Sequence, residues 1–142
     1  MYSVYDIAEY VIKRCNEQGK SISNLKLQKI LYFIQAEFLV RTGEPIFEDA
    51  IEAWDFGPVV PGIYVEYRAY GSASIPYLDE GKKFPFTQEH TSILDGVIDA
   101  CSSYSAIQLV EITHKQAPWR MAYKRSSRKV ISNDSIKAYF ME

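Results

Sequence analysis

The stretch that most constrains this chain is Trp54-Asp55-Phe56-Gly57-Pro58-Val59-Val60-Pro61, which is followed by Ile63 to Gly71. Proline fixes its own φ and pushes the preceding residue out of the helical region. A run from Ile51 to Trp54 is therefore expected to be a short strand that stops at a corner at Gly57-Pro58. Pro61 suits the first turn of a new helix, and Gly71 suits its C-terminal cap. That helix carries Tyr64, Tyr67 and Tyr70. Strand, rigid corner and aromatic-rich helix follow one another without a flexible joint, so the flanking segments have to pack around them.

Upstream, Ser3 and Asp6 resemble a capping pair. The first helix has the stripe Val4, Ile7, Ala8, Val11, Ile12 and Cys15, and ends at Gly19. A second helix, capped by Ser21 or Ser23, carries Leu27, Leu31, Ile34 and Phe38, with Ile30 and Phe33 widening the stripe. Gln28 and Lys29 lie outside that stripe, Glu37 and Arg41 form an outer pair, and Gly43 with Pro45 ends the helix. Ile46-Phe47 and Ile51–Trp54 read as a two-stranded antiparallel hairpin across Glu48-Asp49-Ala50. Residues 72–85 read as the longest loop.

Beyond that loop, Thr87 caps a helix through Ile93, Leu94, Val97, Ile98 and Cys101, and Ser105 with Gln108 opens another. Pro118 starts a short helix with Trp119 and Tyr123, and Lys124, Arg125, Arg128 and Lys129 read as a solvated basic loop. Asn133 or Asp134 caps a last helix ending at Phe140. The expected fold is mainly α: one compact domain, 1–142, of about six helices with a small two-stranded hairpin.

Composition narrows the function. The chain has 142 residues and a formal net charge of -2, which argues against a dedicated nucleic-acid reader. No specific nucleic acid is expected as a partner. Cys15 and Cys101 fall in apolar helical stretches without a CxxC spacing and read as buried reduced thiols. No leader or membrane-length apolar run stands out, which points to a cytoplasmic protein with no membrane partner. His90 and His114 are far apart, and no residue spacing matches a metal site. No cofactor, metal or catalytic residue is assigned. A hydrolase or transferase built on Glu52, Asp55 and His114 is the weakest alternative.

Aromatic residues, by contrast, are abundant, with 11 tyrosines and 7 phenylalanines. Trp54 is expected in the core. Phe56, Tyr64, Tyr67 and Tyr70 are candidates for a partner-facing ridge, because interface hot spots are enriched in tyrosine and tryptophan.

The same residues carry a family resemblance. Leu27-Gln28-Lys29-Ile30-Leu31-Tyr32, then Ala53-Trp54-Asp55-Phe56-Gly57-Pro58-Val59, then Tyr64 to Tyr67 with Gly71, resemble the signature of the SocA-like, or Panacea, antitoxin family. A fourth piece runs from Leu109 to Thr113-His114 and on to Ala117-Pro118-Trp119, so the resemblance extends over roughly residues 8–140. It implies a small bacterial or phage-associated protein that neutralises a cognate toxin by direct binding. It also implies a second role as an adaptor that passes the toxin to a protease. Trp54, Gly57, Pro58, Pro118 and Trp119 are the structural residues of the motif. The alternative is a phage-encoded interaction protein directed at a host factor.

Overall fold

The computed structural model describes residues 1–126 and 128–142. Its helices are α1 (Val4–Glu17), α2 (Asn24–Thr42), α3 (Pro61–Tyr67), α4 (Gln88–Ser102), α5 (Ala106–His114), α6 (Ala117–Arg125) and α7 (Asn133–Phe140). A 3-10 turn, Arg68–Tyr70, continues α3. The strands are β1 (Ile51–Trp54), β2 (Gly57–Val59) and β3 (Lys129–Ile131), in the antiparallel order β2-β1-β3. The protein is mainly α with a small antiparallel sheet, as the sequence suggests. Among the described residues seven α-helices stand where the sequence marks them, and of the three strands only β1 is expected from it.

Hydroxyl caps set most helix starts. Ser3, Ser23, Thr87 and Ser105 each accept a backbone N–H of the first turn, and Ser105 with Gln108 completes a capping box. The last helix is capped by Ser132 rather than by Asn133 or Asp134. Gly43 closes α2 in the left-handed conformation, with φ 79°.

Helix α2 is the hub, packed against α1, α3, α4, α5, α7 and β2. It is buried nearly all round, and a helix in that position is usually apolar throughout. Here Asn24, Gln28, Lys29 and Gln35 are buried as well. Gln28 and Lys29, outside the apolar stripe, do not face water: they are 1% and 0% exposed. The reason lies in what they touch.

Gln28 Oε1 accepts the Val60 N–H at 2.8 Å, and its Nε2 donates to Asn24 Oδ1 at 3.0 Å. Lys29 Nζ donates to the Pro58 carbonyl at 3.1 Å. Gln35 accepts the Ile46 N–H and donates to the Phe47 carbonyl, both at 2.9 Å. The polar side chains of α2 thus satisfy backbone groups of non-helical segments that would otherwise be buried without partners.

This arrangement corrects the expected hairpin. Ile46-Phe47 is not a strand, because the Gln35 amide takes the place of a sheet partner. The hairpin joins β1 to β2 instead, pairing Trp54 with Gly57 and Glu52 with Val59, so the chain continues as strand through Gly57-Pro58. Pro58 is tolerated because β2 is an edge strand. The basic run is not one loop either: Lys124 and Arg125 end α6, and Lys129 opens β3, whose register pairs Ala53 with Lys129. Ser127, between them, lies outside the described residues.

The candidate partner-binding cleft

The β1–β2 turn organises the site. Asp55 and Phe56 keep negative φ, and Gly57 supplies the left-handed residue at φ 106° that closes the turn. A Cβ at Gly57 would lie 2.6 Å from Lys29 Cε and 2.9 Å from Thr113 Oγ1, so close approach as well as φ demands glycine. The inner side of the turn is therefore filled by α2 and α5.

The C-terminal helices hold the outer strand end. Trp119 Nε1 donates to the Trp54 carbonyl at 2.8 Å, His114 Nε2 donates to the Asp55 carbonyl at 3.0 Å, and Tyr123 Oη donates to Asp55 Oδ1 at 2.7 Å. The rings stack as His114, Trp119, Tyr123, with centroids 4.0 and 4.6 Å apart. The hydrogen bond to Asp55 is the main cause that raises the Tyr123 hydroxyl above its ordinary pKa. Trp119, with Pro118 beside it, is the core tryptophan, at 9% exposure.

Trp54, expected in the core, is only half-buried. Its indole Nε1 donates to Glu52 Oε1 at 2.9 Å, Tyr64 packs against it at 5.1 Å, and the Arg128 guanidinium lies over its ring at 4.1 Å. Its strand points it outward: β1 alternates, with Ile51 and Ala53 buried and Glu52 and Trp54 on the opposite face. Trp54, Phe56, Tyr64, Arg68, Arg128 and Asn24 line an open cleft of about 530 Å³, which continues to Gly71 and Ser72.

The four aromatic candidates do not form one ridge. Phe56, 65% exposed, and Tyr64 line this cleft. Tyr67 turns toward the core, where burial first, with Glu9 next, pushes its hydroxyl up to about 12. Tyr70 sits 6.5 Å from Tyr67 and borders a separate groove with Glu9, Ile12 and Tyr77. Tyr64 and Tyr67 both belong to α3 and face different neighbours, and Tyr70 is set apart further because α3 gives way to a 3-10 turn after Tyr67.

Arg68 and Arg128 are the cleft residues that motif reading missed. Arg68 carried a usable signal, four residues after Tyr64 on a helical face. Arg128 stood only in the basic run, whose four charges favour an acidic partner if they are not simply solvated. Nothing local set it over Trp54, where only the β1–β3 pairing brings it.

Catalytic chemistry gains no support from the geometry. The Glu52 carboxylate is engaged with Trp54, that of Asp55 with Tyr123, and His114 with a backbone carbonyl. Among the described residues no group of three or more His, Cys, Asp or Glu is placed to hold a metal ion. Also among them, no helix is long and apolar enough to cross a membrane.

Residues 27–120 match the family model described as "Antitoxin SocA-like, Panacea domain". The chain belongs to this family. It is similar to Antitoxin SocA of Caulobacter vibrioides (strain NA1000 / CB15N), at 36% identity over 124 residues, covering 80% of this chain and 66% of that protein. The chain thus spans about two thirds of the length of that relative. No solved structure matches. In this SocA-like chain, the matched region runs from Leu27 on α2 to Arg120 on α6. It therefore contains the α2 contacts that fix the turn and, of the residues that hold it from outside, His114 and Trp119, whereas Tyr123 and Arg128 lie beyond it.

Proposed function

We propose that this antitoxin-family chain neutralises a cognate toxin by binding it directly, and that Phe56 and Tyr64 in the cleft belong to the contact surface. The observation that carries the reading is the cleft itself. Phe56, Trp54 and Tyr64 leave apolar ring surface open to solvent, and the turn that presents them is fixed on both sides. A preorganised aromatic surface binds with little loss of conformational freedom, and such residues dominate interface energies. A protease-adaptor role uses the same complex, with the toxin shortened in lifetime as well as blocked. Tyr67 is assigned to packing, and Tyr70, exposed beside a separate groove, lies outside this contact surface.

The test is co-expression with the adjacent reading frame. Growth arrest by the neighbour should be relieved by the wild-type chain. Relief should be lost on combining Phe56→Ala with Tyr64→Ala while the melting curve of the variant stays close to wild type. A neighbour without toxicity, or relief untouched by the double substitution, would contradict the reading, and the former result favours a host protein as the partner. The toxin's half-life in the presence and absence of the chain scores the adaptor role.

A further inference from the structure

We propose that the cleft accepts an internal peptide segment of the partner in which an acidic side chain neighbours a large aromatic or aliphatic one. The inference rests on the reading of the chain as a direct-binding antitoxin and names the chemistry of the bound segment. A space of about 530 Å³ is of the size that takes a few side chains. Its walls are of two kinds. Trp54 and Tyr64, inclined at 58° to each other, and Phe56 give an apolar face. Arg68 and Arg128 give a cationic one, and both are exposed.

Four cations of the acidic chain, Lys13, Arg14, Arg41 and Lys82, stand in ion pairs, and Lys26 and Lys29 are buried on backbone carbonyls. Among the described residues no carboxylate lies within ion-pair distance of Arg68 or Arg128. Two uncompensated guanidinium groups beside an aromatic wall complement a carboxylate next to an apolar side chain. At the floor, Gln28 has both ends of its amide satisfied, so the floor places no polar demand on the occupant.

Arg128 adds an independent sign. It is the single non-glycine residue among those described with positive φ, at 63°, and its N–H is pinned to the Ala53 carbonyl at 2.7 Å. Glycine would adopt that conformation without steric cost, whereas a side chain raises its energy. Strained residues of this kind concentrate at ligand clamps. Asp55 at the rim and the net charge of -2 disfavour a polyphosphate chain, so a peptide carboxylate fits better than nucleic acid.

The experiment pans random dodecapeptides, displayed with their C-termini fused to the phage so that only side-chain carboxylates are offered, on the immobilised full chain. Enriched sequences should place Asp or Glu beside Phe, Tyr, Trp or Leu. Synthetic copies should alter the tryptophan fluorescence. Their affinity should fall by about tenfold or more when Arg68→Glu is combined with Arg128→Glu. Replacing the peptide's acid with lysine should restore binding to that variant. Arg128→Gly should weaken binding while its melting temperature holds or rises, an outcome that a purely structural arginine would not give.

Selection without acidic enrichment, affinity indifferent to charge reversal, or displacement of the peptide by oligo-dT at physiological salt would overturn the proposal. The charge-reversed variant also separates the two readings. If it still neutralises the toxin, the peptide inference fails and the antitoxin reading stands. If the wild-type chain neutralises nothing, the antitoxin reading fails by itself.

Discussion

The two sides of the β1–β2 turn solve opposite problems with similar residues. On the inner side a cation, Lys29, is buried completely and ends on one backbone carbonyl, that of Pro58. On the outer side another cation, Arg128, lies in the open across Trp54. The inner contact leaves no room even for a methyl group at Gly57, whereas the outer one borders a cleft. The difference teaches that buried contacts from α2 and from Trp119 fix the turn while the face bearing Trp54 and Phe56 stays uncovered. The two tryptophans repeat the contrast, with Trp119 in the core cluster and Trp54 beside solvent.

The sharpest way to break this comparison is to exchange the fates of the tryptophans. Trp119→Ala removes the central ring of a stack and a hydrogen bond to Trp54, and should cost about 3–5 kcal/mol in denaturant unfolding. Gly57→Ala meets Lys29 and Thr113 and also forces a side chain into positive φ, and should cost about 3 kcal/mol. Gln28→Leu keeps the volume but leaves the Val60 N–H buried and unpaired, for a loss of about 1–3 kcal/mol. Trp54→Ala, on the open side, should cost only about 1–2 kcal/mol, from partial burial and the contact with Arg128. If Trp54→Ala proved as destabilising as Trp119→Ala, the two sides would not differ as described.

Most of the helices were legible because apolar spacing and hydroxyl caps are local signals. Ser3, Ser23, Thr87 and Ser105 all act where the sequence places a cap. The sheet was less legible, since β3 is three residues long and finds β1 from the far end of the chain. The burial of Gln28 and Lys29 was hidden for a related reason. A polar residue outside an apolar stripe ordinarily faces water, and its role here depends on the Pro58 and Val60 backbone arriving beside it. Half of the candidate aromatic group, Phe56 and Tyr64, reached the cleft. Tyr67 did not, because its side of α3 packs against the core, and Tyr70 did not, because the helix tightens to a 3-10 turn before it.

A buried amine, satisfied by the Pro58 carbonyl, fixes the turn from the α2 side, and its burial makes stability depend on pH. Burial lowers the Lys29 ammonium to about 7, far below its value in the unfolded chain. Below pH 7 both states hold the proton, and the folded state carries the full cost of a buried charge. As pH rises above 7 the folded protein releases that proton before the unfolded chain does, so stability increases, by up to about 1.4 kcal/mol per pH unit from this group. Above about pH 9 the thiol of Cys101, pushed up to about 12 by burial, begins to act in the opposite direction. The measurement is the unfolding free energy of the wild type and of Lys29→Met from pH 6 to 9. Stability of the wild type should rise above pH 7, and that rise should be absent from the variant. Parallel curves for the two proteins would contradict it.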